Sequence, residues 1–203
     1  CVAAFALIFR YFERYAVPLF PAITVNYFIA FCCGLLFAPP WRPDDVSLLW
    51  MPSALLGALF VTIFSITGLS AQKAGTARTT IAGRMSLVIT VLGVVLIFKD
   101  QISARSISGI CIALVGLLLV SATRGEHSSD RSWLLPLMIF AGSGAADIGV
   151  SVAQRVRTTS LNEAAFTTMC FGSASLVSAL VLMVRGPRSA LMDRRTWIGG
   201  TVL

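Results

Sequence analysis

Six stretches of this 203-residue chain are apolar and long enough to cross a lipid bilayer. A helix needs roughly 20 mostly apolar residues to cross about 30 Å of hydrocarbon, and short charged connectors separate the stretches. Away from the ends of the stretches, only Arg84 and Asp147 carry ionisable side chains. The sequence therefore predicts an all-α fold, a polytopic transmembrane helix bundle.

Composition and charge support this prediction. Hydrophobic residues make up 57% of the chain and charged residues only 12%, which excludes an ordinary soluble domain. The net charge of +7 comes from 16 Lys and Arg that lie singly or in pairs at the ends of apolar runs. Because no basic stripe follows a phosphate backbone, we expect a lipid bilayer as the partner and no nucleic acid.

Cysteine and histidine usage indicates neither disulfides nor a metal site. The five cysteines all fall inside apolar runs, where cysteine behaves as a small hydrophobic residue. They are Cys1, Cys32, Cys33, Cys111 and Cys170. The single histidine, His127, lies in a polar connector away from them. We therefore predict no cofactor and no metal.

The apolar runs predict about seven spans. The residues before Arg10 are too few to cross a bilayer and are interpreted as the tail of a first span, which predicts that the start is missing. The spans that follow are predicted at 19–38, within 45–73, and at 76–98, 106–123, 133–153 and 162–184. A further apolar run begins near Trp197, so the end is also expected to be cut short.

A polar connector at 124–132 divides the chain into two predicted transmembrane repeats, 1–123 and 124–203. Sliding the second half onto the first by 142 positions aligns Leu161 with Leu19 and Ala164 with Ala22. A five-span half, repeated after an odd number of crossings, would be inverted in the membrane. Alternating-access transporters commonly have this architecture.

The connectors also bear on orientation. Those after spans one, three, five and seven carry ten cations, and those after spans two, four and six carry five. The positive-inside rule places the richer set in the cytoplasm of a multi-pass protein in the cell (plasma) membrane.

The two intramembrane charges are the main candidate site. Arg84 lies eight residues into its span, about 12 Å below one membrane face. Asp147 lies eight residues before Arg155, about 12 Å below the opposite face. They would differ by only about 6 Å in depth, so we expect them to pair near the midplane. Arg84 would offer charge or hydrogen bonds to a substrate, and Asp147 would be its counter-ion or a protonatable coupling group. The alternative is a snorkelling arginine and a helix–helix hydrogen bond.

Other polar residues could complete a lined pathway. Asn26, Ser86 and Thr90 are candidates for it, and so is a group on the seventh span: Gly172, Ser173, Ser175 and Ser178. Small and hydroxylated residues are also common where helices pack in lipid, so packing is the alternative role for most of them.

Four segments between residues 71 and 121 resemble a known family. They are 71–78, 84–90, 98–103 and 109–116. The similarity extends from Arg10 through Asn26 and Tyr27 and on to 142–147 and 161–164, so it covers nearly the whole chain. In their order and spacing these segments resemble the EamA-like family of the drug/metabolite transporter superfamily. Thr90 stands where such proteins usually have a proline, and Asp100 stands where they usually have a glutamate.

The resemblance implies ten spans in two inverted five-span repeats, a central cavity, and export or exchange of small metabolites. It also implies cytoplasmic termini, which disagrees with the cation count, so the orientation stays open. The sequence thus predicts a secondary transporter for a small polar or amphipathic metabolite that uses alternating access. Protons, acting through Asp147, are a candidate coupling ion, and the coupling ion itself stays open.

Two other function classes were weighed against transport. A non-transporting membrane scaffold or sensor is the alternative, and a packed core in place of a cavity would favour it. An enzyme is not predicted, because the chain has no HExxH, no GxSxG and no intramembrane histidine. A homo-oligomer is left open.

Overall fold

A computed structural model describes residues 8–9, 11–12, 14, 17–38, 49–99, 108–109, 111–112, 115, 134–157, 163–185 and 194–203. Within these residues the regular structure is entirely helical, which confirms the all-α prediction. The helices are α1 (Leu19–Phe37), α2 (Trp50–Lys73), α3 (Thr76–Phe98), α4 (Leu134–Arg157), α5 (Glu163–Arg185) and α6 (Arg194–Val202).

Helices α1 to α5 are long and apolar enough to cross a membrane. Many of their large apolar side chains are exposed, among them Phe37 at 87% and Val184 at 81%, as suits helices surrounded by acyl chains. The predicted spans at 76–98 and 162–184 match α3 and α5 to within a residue. The spans predicted before Arg10 and at 106–123 lie almost wholly outside the described residues, and so does Asp100.

Proline helps to place the starts of three helices. Pro21, Pro52 and Pro136 each occupy the third position of their helix, in α1, α2 and α4. The first four N–H groups of a helix have no partner within it, so a proline there sacrifices no hydrogen bond. The helix starts therefore follow from local sequence.

A tight turn joins α2 to α3. The Ser70 and Thr79 hydroxyls form a buried hydrogen bond of 2.8 Å across it, and Thr79 Oγ1 also donates to the Gly75 carbonyl at 2.9 Å. Gly75 has φ 95° and ψ 151°, a backbone conformation that is essentially restricted to glycine. This glycine and the two hydroxyls fix the turn between the end of α2 and the start of α3.

Replacing Gly75 by alanine is expected to lower the free energy of unfolding by about 2 kcal/mol, because a side chain is strained at this φ and ψ. Unfolding of the detergent-solubilised protein, followed by circular dichroism, measures the change. Gly83 lies within α3 and has no positive φ, so Gly83→Ala is the control. Equal stability of the two variants would contradict the prediction.

The chain divides into two compact units. The first unit contains residues 1–10 and 66–148, and the second contains 11–65 and 149–203. Each unit draws on both sides of residue 123, so these packing units are a different division from the predicted repeats 1–123 and 124–203. The repeats, their inversion and the missing ends stay predictions.

The second unit has an apolar core between α2, α4 and α5. Its buried members are Leu49, Leu56, Ala153, Phe166, Met169 and Cys170. Small residues allow its helices to approach closely, as is common in lipid.

Gly34 of α1 faces Thr168 of α5, and Gly172 of α5 faces Phe31 of α1. The residue numbers of these contacts run in opposite directions, so α1 and α5 are antiparallel.

In the first unit, α3 packs against α4 through glycines on both helices. An added Cβ on Gly93 would meet Ile148, and one on Gly144 would meet Ile89. The residue numbers of these contacts rise together, so the two helices run parallel. The sequence predicts one further span between α3 and α4, at 106–123. Two helices separated by one span cross the membrane in the same direction, so the parallel packing of α3 and α4 agrees with that prediction.

Candidate functional site

A polar contact lies near the middle of the α3–α4 packing. The Thr90 hydroxyl and Asp147 Oδ2 are 3.4 Å apart, and both side chains are partly buried. Asp147 lies about 15 Å from the end of α4, and Thr90 about 12 Å from the end of α3. The contact is therefore far from both ends of two helices that are long enough to span a bilayer.

Glycine makes this contact geometrically possible. Gly144 is three residues before Asp147, and a Cβ built on it would lie 2.7 Å from Ile89 Cβ. Gly93 is three residues after Thr90 and faces Ile148 with similarly little space. The backbones of α3 and α4 therefore come close on both sides of the contact, at Gly144 and at Gly93. This close approach lets the Thr90 and Asp147 side chains meet between the two helices.

Thr90 has a second hydrogen-bond partner. Its Oγ1 lies 3.2 Å from the Ser86 carbonyl, one turn earlier on α3. A hydroxyl has one hydrogen to donate and two lone pairs that accept, so Thr90 can bridge a carboxyl and a backbone carbonyl. Helix α3 continues through Thr90 to Phe98, so a threonine at this position is compatible with an uninterrupted helix.

Ser86 lies on the same face of α3 but is less available. It is 1% exposed, and its hydroxyl donates to the Gly83 carbonyl at 2.8 Å. A serine buried and bonded in this way stabilises packing rather than offering its hydroxyl to a solute. The structure thus places Ser86 beneath the polar contact, without its hydroxyl in the contact.

The structure corrects the expected pairing of Arg84 with Asp147. At 100° per residue, Arg84 points roughly 140° away from the face of α3 that contacts α4. Its side chain is exposed, and Thr90 is the residue of α3 that meets Asp147. The pairing argument compared depth along the helices and left out direction around them. A pathway role for Arg84 stays a prediction.

Asn26 belongs to the second unit, on α1. Its Nδ2 donates to the Gly200 carbonyl of α6 at 3.3 Å. Gly200 packs closely there, since an added Cβ would lie 2.6 Å from Val25 Cβ. The structure therefore gives Asn26 a contact between helices, the packing role that the sequence left as an alternative.

The serines of α5 also serve packing in the second unit. Ser173 Oγ lies 2.7 Å from the Ser53 carbonyl of α2 and 2.9 Å from the Cys170 carbonyl. Ser178 is fully buried and donates to the Ser175 carbonyl at 3.0 Å. These hydroxyls bond to backbone within or between helices, so packing accounts for the contacts that they make.

Sequence reasoning missed an aromatic cluster in the second unit. Tyr27 is 7% exposed, and its ring lies 5.9 Å from that of Phe64 and 6.2 Å from that of Phe171. Aromatic pairs at these distances add to stability beyond the area they bury. The three residues come from α1, α2 and α5, and their spacing in sequence gives no signal that they meet.

Within the described residues, no group of three or more His, Cys, Asp or Glu side chains could hold a metal ion. The absence of a cofactor stays a prediction.

A search of curated proteins found one relative. This chain is 28% identical over 151 residues to a protein of Haemophilus influenzae (strain ATCC 51907 / DSM 11121 / KW20 / Rd) described as uncharacterized. The match covers 73% of this chain and 50% of the other, so the chain spans about half the length of the curated relative it matches. No family model matches, and neither does any solved structure. Membership of the EamA-like family stays a prediction.

Proposed function

We propose that this protein is an integral membrane secondary transporter that moves a small polar or amphipathic metabolite by alternating access. The observation that carries the proposal is the carboxyl of Asp147, held near mid-span on α4 against the Thr90 hydroxyl of α3. An ionisable residue at the centre of a membrane helix costs about 2.5–3.5 kcal/mol on insertion scales. Such residues are therefore rare and mark solute or ion pathways.

The Thr90–Asp147 contact is a helix–helix hydrogen bond, the alternative role that the sequence left open for Asp147. Such bonds contribute only about 0.6 kcal/mol on average in membranes, less than the cost of the aspartate. Gly93 and Gly144 already allow α3 and α4 to approach closely, and an apolar side chain would fill the same space without the cost of a carboxyl in lipid. A scaffold or sensor would need only that packing.

The predicted inverted repeat belongs to the same proposal. Shifting the chain by 142 positions aligns Ala164, in the first turn of α5, with Ala22, in the first turn of α1. Equivalent helices of two inverted repeats must run in opposite directions. The antiparallel packing of α1 and α5 supports this arrangement. The EamA-like assignment and location in the plasma membrane are parts of the proposal too.

Uptake by the full-length protein in proteoliposomes, measured over a panel of small polar and amphipathic metabolites, tests the proposal. We expect at least one metabolite to be transported, and Asp147→Asn to reduce its uptake at least about tenfold, a change of 1.4 kcal/mol. Glu163, an exposed carboxylate in the first turn of α5, supplies the control Glu163→Gln, which should leave uptake unchanged.

The same assay decides the role of Arg84. We expect Arg84→Ala to lower uptake of an anionic metabolite, because the guanidinium is predicted to attract its charge. Unchanged uptake across the panel would remove Arg84 from the mechanism. No uptake of any metabolite by the wild-type protein, with correct insertion verified, would favour a scaffold or sensor.

A further inference from the structure

We propose that Asp147 is a proton-binding site in which the Thr90 hydroxyl satisfies both protonation states of the carboxyl. The ligand is the proton itself, and its release and uptake would drive the transport proposed above. Proton binding depends only on the α3–α4 geometry, whereas coupling rests on the proposed function. The two parts can therefore fail separately.

The geometry of Thr90 is what allows both states. Its Oγ1 lies 3.4 Å from Asp147 Oδ2 and 3.2 Å from the Ser86 carbonyl. With Asp147 charged, the hydroxyl hydrogen points at the carboxylate. With Asp147 protonated, the acid donates to Thr90 Oγ1, and the threonine hydrogen turns to the Ser86 carbonyl.

The exchange needs no movement of the helices. Rotation of one hydroxyl changes the direction of two hydrogen bonds, and both helix backbones keep their positions. In either state Asp147 Oδ2 and Thr90 Oγ1 remain hydrogen-bonded to each other, so the exchange leaves neither of these two atoms without a partner. The proton passes from hydronium to Oδ2 and leaves water, and release reverses the step, so no other reactant is required.

The groups around the carboxyl suit such a site. Among the described contacts, Ile89 and Gly93 of α3 lie against α4 beside Thr90, and neither of them titrates. A lysine or arginine in their place would hold the carboxyl in its charged form. A hydroxyl carries no net charge and can either donate to the carboxylate or accept from the acid, so it can bond to both forms.

The charged residues with described side chains on these two helices lie further away. Arg84 is on the opposite face of α3, and Arg78 is about 18 Å from Thr90 along the same helix. On α4, Arg155 is exposed and lies about 12 Å from Asp147 along the helix. Among these described groups, the hydroxyl of Thr90 is the one in direct contact with the carboxyl.

Infrared difference spectroscopy of the full-length protein in lipid, recorded as the pH is changed, tests the binding. We expect a carbonyl stretching band of a protonated carboxylic acid that Asp147→Asn removes and Glu163→Gln leaves in place. Thr90→Val should shift the frequency of that band, since the acid loses its acceptor, and Thr90→Ser should restore it. Circular dichroism verifies that each variant is folded.

Persistence of the band in Asp147→Asn would overturn the proposal, and so would the same frequency in the wild type, Thr90→Val and Thr90→Ser. If Thr90→Val does not fold, Thr90→Ala against Thr90→Ser gives the same comparison, because serine alone retains the hydroxyl.

Proteoliposomes with a pH-sensitive dye inside test the coupling. A pH gradient should drive metabolite uptake by the wild type, with proton movement that Asp147→Asn abolishes. Uptake driven by a sodium gradient alone would overturn proton coupling and leave the proposed function standing. A titrating Asp147 with no uptake under any gradient would overturn the coupling and the proposed function, and leave the proton site intact.

Discussion

Replacing Gly57 by alanine is expected to destabilise the second unit by about 3 kcal/mol, the upper part of the range for overpacked sites. The added methyl group would overlap Ser173 Oγ and lie 2.7 Å from two backbone atoms of α5, the Cys170 carbonyl oxygen and the Ala174 nitrogen. A side chain could rotate away, but a helix backbone cannot. The methyl group must therefore push α2 and α5 apart.

The separation has a second cost. Ser173 Oγ lies 2.7 Å from the Ser53 carbonyl and bridges the same two helices beside the glycine. A small displacement would break this bond, and the nearby core around Leu56 and Cys170 would lose contacts. Both losses exceed the gain of up to about 1 kcal/mol that alanine brings over glycine within a helix.

Unfolding of the purified protein in mixed micelles, followed by circular dichroism, measures this effect. Gly109→Ala is the matched control, because nothing lies within 4 Å of a Cβ built there. It should retain or slightly raise stability. If Gly57→Ala unfolds at the same denaturant concentration as Gly109→Ala, the prediction that α2 and α5 are in close contact at Gly57 is contradicted.

Gly144→Ala is the second large expected effect, and it connects packing to the candidate site. The new Cβ would lie 2.7 Å from Ile89 Cβ and 2.8 Å from its Cγ2. Ile89 is β-branched and held in a helix, so its side chain has little freedom to move aside. We expect α3 to shift away from α4, at a loss of about 2 kcal/mol in stability.

This shift should also disrupt the polar contact. Thr90 Oγ1 and Asp147 Oδ2 are already 3.4 Å apart, near the limit of a hydrogen bond, so a few tenths of an ångström would separate them. In the infrared experiment the carboxyl band of Gly144→Ala should move as it does in Thr90→Val.

Gly83→Ala is the control on the same face of α3, where a Cβ would meet Ile139 Cγ2 at an ordinary 3.9 Å. It should retain or slightly raise stability and leave the carboxyl band unchanged. A Gly144→Ala protein with a wild-type band would separate the glycine packing from the site and contradict the prediction.

The helices themselves are the part of the fold that the sequence predicts well. Helix α3 was expected at 76–98 and is found at Thr76–Phe98, and α1 was expected at 19–38 and is found at Leu19–Phe37. Hydrophobic length and the turn residues that interrupt it are local properties, and every backbone group in lipid must bond within its own helix. Few alternatives to a helix remain for such a run.

The candidate site was predicted only in part. Depth along a helix follows from counting residues, so the mid-span position of Asp147 could be derived. Its partner could not, because the direction of Arg84 matters only relative to a neighbour that is distant in sequence. A glycine in an apolar run gives no signal of what it will face, so the approach of Gly144 to Ile89 was also beyond sequence reasoning.

The sequence by itself determined that the chain forms apolar helices with one carboxyl and one guanidinium far from their ends, because length, charge and turn signals act locally. Only the tertiary structure decided that Thr90 meets Asp147 and that Arg84 points elsewhere. The physical reason is that helices in lipid associate through close van der Waals contact at small residues, and the shapes of both surfaces together select the register.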